Sequence, residues 1–176
     1  MKKNIVLLGL GGQGILFAGK ILAHAASLAG YQTSYLPFHG QEVQNGKVRA
    51  EVIISDNQIF HPFIEESDYT LVFHKFRIND AKKISNSSSV IFLKDFSQSL
   101  DTKTFFVDTE KLQDKNKVNI SSNIIMIGAL LSQIENEITI DDKSINEALK
   151  QELIHKPFST VTQNFKAYKQ GRSFKL

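Results

Sequence analysis

The sequence predicts an α/β fold: a Rossmann-like, doubly wound, mostly parallel sheet with an inserted β-hairpin and flanking helices. Three observations carry that expectation. The apolar run Ile5-Val6-Leu7-Leu8 leads straight into Gly9-Leu10-Gly11-Gly12-Gln13-Gly14, and a helical pattern starts at Ile15. A strand, a glycine turn and a helix in that order build a crevice at the edge of a parallel sheet. Backbone N–H groups at the helix start favour an anionic or polar ligand there. Tyr69–Phe73, Val90–Leu93 and Phe105–Val107 are short continuous apolar runs, the pattern of strands covered on both faces. Val48, Ala50, Val52 and Ile54 instead recur on one side of a strand, and a turn signal at Asp56-Asn57 comes after them.

The elements run in order along the chain. Strand one is Ile5–Leu8. Gln13–Ala29 reads as a helix with apolar residues on more than one face, stopped by Gly30. Tyr31–Leu36 is strand two. Pro37–Lys47 is a loop, long for a connection of this kind, and long loops in compact domains are often functional. Val48–Ser55 is paired through Asp56-Asn57 with a resumed strand at Ile59-Phe60, an antiparallel excursion in an otherwise βαβ chain. The Ser85–Ser89 cluster reads as a loop. Asp108 is placed to cap a short helix through Leu112. Ser121-Ser122-Asn123 precedes Ile124–Ile134, a helix apolar nearly all round and so buried in a core or an interface. Ser144-x-x-Glu147 has the form of a capping box, with Asp141 and Asp142 as equal candidates for the cap. Pro157 suits the first residue of a last helix ending near Gly171.

A chain of 176 residues is most simply one domain, 1–176. The net charge of +3 is mild and no block of like charge stands out, which argues against a nucleic-acid partner. There is no cysteine, so disulfides, a thiol nucleophile and Cys-held zinc or iron–sulfur centres are excluded for this chain alone. That composition fits a cytoplasmic protein. Met1-Lys2-Lys3-Asn4 and the apolar run after it read as a buried first strand rather than a signal peptide, because the run breaks at Gly9. No stretch approaches the roughly 20 apolar residues of a membrane span.

Gly9-x-Gly11-x-x-Gly14 satisfies the dinucleotide fingerprint formally, which also wants an acid about 20 residues on to hold ribose hydroxyls. Strand two ends in Ser34-Tyr35-Leu36-Pro37, with no such acid. A free-standing NAD- or FAD-binding protein, a turn that simply packs helix on strand, and a crevice serving another ligand or a partner chain all stay open on these residues. Gly14–Ile21 approaches a P-loop, but Ile21 stands where a hydroxyl would hold magnesium, and Ile15–Ala18 should be helix. The five histidines show no metal-ligand spacing, and His39 reads as a loop hydrogen-bonder. No Gly-x-Ser-x-Gly elbow is present. No catalytic residue and no metal ligand is therefore assigned.

Gly9-Leu10-Gly11-Gly12-Gln13-Gly14, Ala18-Gly19-Lys20-Ile21-Leu22-Ala23 and Gly30-Tyr31 together resemble the start of the gamma subunit of 2-oxoacid:ferredoxin oxidoreductases. The 2-oxoglutarate type fits best, and the pyruvate, branched-chain (ketoisovalerate) and indolepyruvate types share the pattern. Pro37-x-x-Gly40-x-Glu42 is similar to that family's Pro-Ser-Tyr-Gly-x-Glu loop. Val52-Ile53-Ile54-Ser55-Asp56 is similar to the family's next strand, and Ile59-x-x-Pro62 to the turn after that strand. Asp68, Asn123 with Gly128-Ala129-Leu130, and Asn164-x-x-Ala167-x-x-x-Gly171 with Tyr168 for Phe extend the resemblance over nearly the whole chain. Where the family reads Glu-x-Arg-Gly-Gly, this chain has Glu42-Val43-Gln44-Asn45-Gly46. A guanidinium able to clamp a carboxylate or phosphate is lost, while Asn45 still tolerates a left-handed turn.

The resemblance implies a division of labour. Family members oxidatively decarboxylate a 2-oxo acid to an acyl-CoA and pass electrons to ferredoxin. Thiamine diphosphate with Mg2+ and iron–sulfur clusters belong to other subunits of the assembled complex, and none is expected on this chain alone. The implied partners are alpha and beta subunits, with a ferredoxin-like delta subunit as a further candidate and ferredoxin reached indirectly. The chain is not expected to be active alone. Its candidate site is a rim of Gly9, Gly11, Gly12, Gln13, Gly14, Gly40, Glu42 and Gly46 that faces partner subunits and coenzyme A (CoA). A divergent paralogue acting as a binding or scaffold module is the alternative that the Gln44-Asn45 change favours.

Overall fold

The computed structural model describes residues 1–39, 46–112 and 121–174. Six strands form one sheet: β1 (Lys2–Leu10), β2 (Gln32–Phe38), β3 (Lys47–Ser55), β4 (Ser67–Val72), β5 (Ser85–Lys94) and β6 (Lys103–Val107). Their order across the sheet is β2-β3-β1-β4-β5-β6. β1 pairs in parallel with β4, β4 with β5, and β5 with β6. β3 runs against both of its neighbours, with Leu8 opposite Arg49 on one side and Phe38 opposite Arg49 on the other. Helices α1 (Ile15–Leu28), α2 (Ile78–Ile84), α3 (Thr109–Leu112), α4 (Ser122–Gln133), α5 (Asp142–Glu152) and α6 (Phe158–Arg172) connect and cover the strands.

The mostly parallel sheet with one antiparallel excursion agrees with the sequence, but the hairpin is built differently. β3 pairs with β2 across the long loop, not with Ile59-Phe60. Both edges of β3 are already taken by β1 and β2, so no ladder is left for a further strand. Ile59 instead packs on the sheet as a side chain while Phe60 points outward. Ser85–Ser89 is strand, not loop. The β4–β5 register shifts there, and Ser89 Oγ donates to the Ser67 carbonyl at 2.6 Å. The sequence reading has no helix between Phe73 and Val90. The structure places a 3-10 turn (Lys75–Arg77) and α2 in that crossover, with only Ile78, Ala81 and Ile84 as its narrow apolar stripe.

β1 is apolar on both faces because each face meets a different core. Ile5 and Leu7 point to the layer of α1, α4, α5 and α6, while Val6 and Leu8 meet Ile53, Ile64, Val72 and α2. The helix layer is close-packed at one crossing. A Cβ on Gly171 would lie 2.0 Å from the Ile125 carbonyl oxygen, and one on Gly128 would lie 2.3 Å from that of Tyr168. Glycine at both positions lets α4 and α6 touch backbone to backbone, and Arg172 donates across the crossing to Leu131 O at 2.6 Å. Asp141 proves to be the cap of α5, its Oδ1 accepting from Ser144 N at 2.8 Å, and Asp108 caps α3 through Lys111 N at 2.8 Å.

At the opposite end of the strands, Glu137 accepts from the Tyr69 hydroxyl and pairs with Lys3. Burial alone would raise the Glu137 pKa, but the hydrogen bonds from Lys3 and Tyr69 outweigh it, and the carboxyl is held below its usual range. Burial and the adjoining Glu137 push the Tyr69 phenol up.

Two outcomes are expected from this packing. Gly171→Ala should destabilise the fold by about 2 kcal/mol in chemical denaturation, overpacking exceeding the roughly 1 kcal/mol helix-propensity gain. A depressed carboxyl contributes stability above its unfolded pKa and loses it as pH falls through the folded one. Glu137→Gln should therefore lower stability at neutral pH and flatten the acid loss below about pH 4.3, read from denaturation midpoints.

Candidate functional site

The site is assembled where β1 gives way to α1. Gly12 (φ 84°) and Gly14 (φ 69°) both take left-handed backbone, and Gly14 sits at the cap position of α1. Gln13 folds back over the turn. Its Oε1 accepts from Leu10 N at 2.7 Å and its Nε2 donates to Phe73 O at 3.2 Å, tying the turn to the end of β4. Gly9 is needed for packing: a Cβ there would lie 2.5 Å from Ile15 Cδ1. Gly14 is needed because Asn123 of α4 occupies the space beside it. Asn123 Nδ2 donates to Gly14 O at 2.9 Å and would lie 2.2 Å from a Cβ on Gly14. Gly12 differs, since a Cβ there would meet nothing within 4 Å.

Six of the eight predicted rim residues are described, and the structure brings them to one end of the sheet, where β1 leaves it and β3 enters. Gly11 N donates to Gly46 O at 2.9 Å, joining the glycine turn to the end of the long loop. Gly40 and Glu42, like Gln44 and Asn45, lie outside the described residues. Gly9, Gln13 and Gly14 are engaged in holding the turn itself, while Gly12 leaves its backbone open to a cleft.

That cleft, about 380 Å³, is lined by Gly12, Gln13, Gly14, Lys94, Ser121, Ser122 and Asn123. α1 and α4 both start at it. Neither has a side-chain hydrogen bond at its cap or an acid in its first turn, so two positive helix ends share one opening. Lys94 also lines it, its charge paired with Asp95, which holds an unusual φ of 57°, so the helix starts supply most of the positive field. Asp95 Oδ1 in turn accepts from Thr109 N at 2.6 Å. Sequence reasoning missed Lys94. Its signal is the position immediately after Val90–Leu93, at the carboxyl end of a parallel strand where α/β crevices form. Electrostatically the cleft suits a phosphate or carboxylate.

A second cleft of about 530 Å³ lies over the other sheet face, with Phe38, Lys47, Arg49, Arg77, Asp80 and Lys83 among its lining. Its charges are paired internally: Arg77 Nε lies 2.8 Å and Lys47 Nζ 3.0 Å from Asp80 Oδ2, and Arg49 pairs with Glu51. Burial lowers the Arg77 pKa against the partial support of Asp80. Among the described residues no group of three His, Asp or Glu side chains is arranged to hold a metal ion.

The topology argues against the dinucleotide reading. In that fold a parallel strand next to β1 delivers the ribose-holding acid. Here antiparallel β3 lies next to β1, and β2 is one strand further out.

The family model for pyruvate ferredoxin/flavodoxin oxidoreductases matches residues 4–174. The 2-oxoglutarate synthase subunit KorC of Methanothermobacter thermautotrophicus is 28% identical over 184 residues, covering 98% of this chain and 94% of that one. Among solved structures, a keto/oxoacid ferredoxin oxidoreductase gamma subunit from Geobacter sulfurreducens superposes with a TM-score of 0.71 at 22% identity, covering 96% of this chain and 95% of that one. The 2-oxoglutarate:ferredoxin oxidoreductase of Magnetococcus marinus, solved with 2-oxoglutarate, coenzyme A and succinyl-CoA, gives 0.81 at 19% identity. This chain covers 30% of that protein's chain, and 98% of its own length is matched. With the family match over residues 4–174 and superpositions spanning nearly its whole length, the chain belongs to the pyruvate ferredoxin/flavodoxin oxidoreductase family and has the fold of its gamma subunits.

Proposed function

We propose that this chain is the gamma subunit of a 2-oxoacid:ferredoxin oxidoreductase directed to 2-oxoglutarate, working with alpha and beta subunits in the cytoplasm. The observation that carries the reading is the near full-length alignment with a 2-oxoglutarate synthase subunit, 98% of this chain against 94% of that one. The reaction releases the carboxylate as CO2, joins the remaining acyl group to CoA and sends the electrons to ferredoxin. No helix among the described residues is long and apolar enough to cross a membrane.

The residues present do not suit the redox cofactors. The chain has no cysteine for an iron–sulfur cluster, and the described residues offer no cluster for the Mg2+ of thiamine diphosphate. Those groups are assigned to the partner subunits, where thiamine diphosphate supplies the carbanion chemistry. CoA fits better. The open backbone at Gly12, the two uncapped helix starts and Lys94 form a donor set for its phosphates. In this reading Gly12 and Lys94 bind and orient an anion, while Gly9, Gln13 and Gly14 keep the turn in shape. The second reading, a scaffold paralogue without turnover, rests on Gln44 standing where the family has Arg.

The test is dye reduction dependent on 2-oxoglutarate and CoA, by partner subunits purified with and without this chain. Activity that requires the chain supports the proposal. A complex that assembles with the chain but never turns over favours the scaffold. Within the active complex, Gly12→Val should change CoA use or assembly about tenfold, because a β-branched residue at positive φ reshapes the turn without colliding. Its midpoint of thermal unfolding should move less than that of Gly14→Ala, whose Cβ meets Asn123 and should cost about 1–3 kcal/mol. Equal CoA dependence and equal yield for Gly12→Val would count against the rim.

A further inference from the structure

The glycine turn and the end of the long loop are held together from outside by one side chain. Arg77 lies in the short turn before α2, its side chain 3% exposed. Its Nη1 donates to Gly9 O at 3.1 Å and to Val48 O at 3.3 Å. Gly9 and Val48 are register partners in the β1–β3 ladder, each one residue in from the strand end that borders its loop. Asp80, three residues on, pairs with Arg77 Nε at 2.8 Å and reaches Lys47 Nζ at 3.0 Å. The turn before α2 therefore grips both strands where they open, just below the Gly11–Gly46 hydrogen bond.

Burying a guanidinium is costly unless its donors are used. Here Nη1 serves two backbone carbonyls, and Nε lies in ion-pair range of the Asp80 carboxylate without forming a hydrogen bond to it, so the planar group reaches all three acceptors at once. A hydrophobic side chain could have covered the same core beside Ile78 and Ala81 without that cost. We propose that Arg77, locked by Asp80, is a positioning residue that sets the spacing between the glycine turn and the Gly46 end of the opposing loop. The functional part of this proposal rests on the reading of those two segments as one rim facing CoA and partner subunits.

The experiment measures amide hydrogen exchange on the full chain and kinetics on the assembled complex. The variants are Arg77→Lys, which keeps the charge but not the fork, and Asp80→Asn, which leaves Arg77 in place without its lock. Arg172→Lys is the control, because Arg172 also donates to a carbonyl, Leu131 O at 2.6 Å, but far from the rim. Exchange at the Gly11 amide should quicken about tenfold or more in both rim variants and stay unchanged in the control. In the complex the same variants should raise KM for CoA or weaken subunit binding, with KM for the 2-oxo acid unmoved. Should Arg77→Lys fail to fold, Asp80→Asn alone decides. Unchanged Gly11 exchange in a folded rim variant overturns the positioning role. Faster exchange with unchanged CoA kinetics and assembly leaves the clamp standing and overturns the rim reading instead.

Discussion

The structure depends on the space beside Gly14. The chain has to leave β1, turn through two left-handed glycines and start α1, and at that point the side chain of Asn123 fills the volume a Cβ would need. Its amide bonds to the Gly14 carbonyl on one side and its carbonyl oxygen accepts from Ile124 N at 3.0 Å on the other. One residue therefore fixes where α4 begins relative to where α1 begins, across 109 positions of sequence. Two helix starts whose cap residues make no side-chain hydrogen bond then face one opening, and the electrostatic character of the cleft arises from that contact.

The rest of the helix layer repeats the device. Gly128 and Gly171 allow α4 and α6 to meet without side chains between them, so α4 is pinned at its start by Asn123 and along its length by α6. The two faces of the sheet then differ in character. One is sealed by four helices around a continuous apolar core. The other is covered by α2, Ile64 and a strap of loop, and carries a buried guanidinium with its acid partners. Packing fixes the site from the first face, and charge holds it from the second.

Much of this was legible in the chain. Unbroken apolar runs announced strands with two covered faces, and the glycine turn announced the crevice, because each pattern has one cheap structural solution. Gly14, Asn123, Gly128 and Gly171, which carry part of the family resemblance, were visible as separate pieces. That they meet in two pairs was not, since nothing in a sequence states which distant residues share a volume. The Ile59-Phe60 strand was misread because β-propensity says nothing about whether a ladder edge is free. Ser85–Ser89 was misread because serine composition suggests a loop, whereas hydrogen bonding to β4 decides it as strand. Arg77 was invisible: a lone arginine in a polar stretch reads as surface, and only the fold shows it spent on two strand carbonyls.

The proposal that this chain is one part of a larger catalyst rests on its family match and on the opening beside Gly12. The direct measurement is the mass and cofactor content of the assembly isolated from its native source through this chain. A stoichiometric complex with chains that hold thiamine diphosphate and iron–sulfur clusters is expected. A lone polypeptide that turns over a 2-oxo acid by itself, or one that carries a tightly bound flavin, would contradict it.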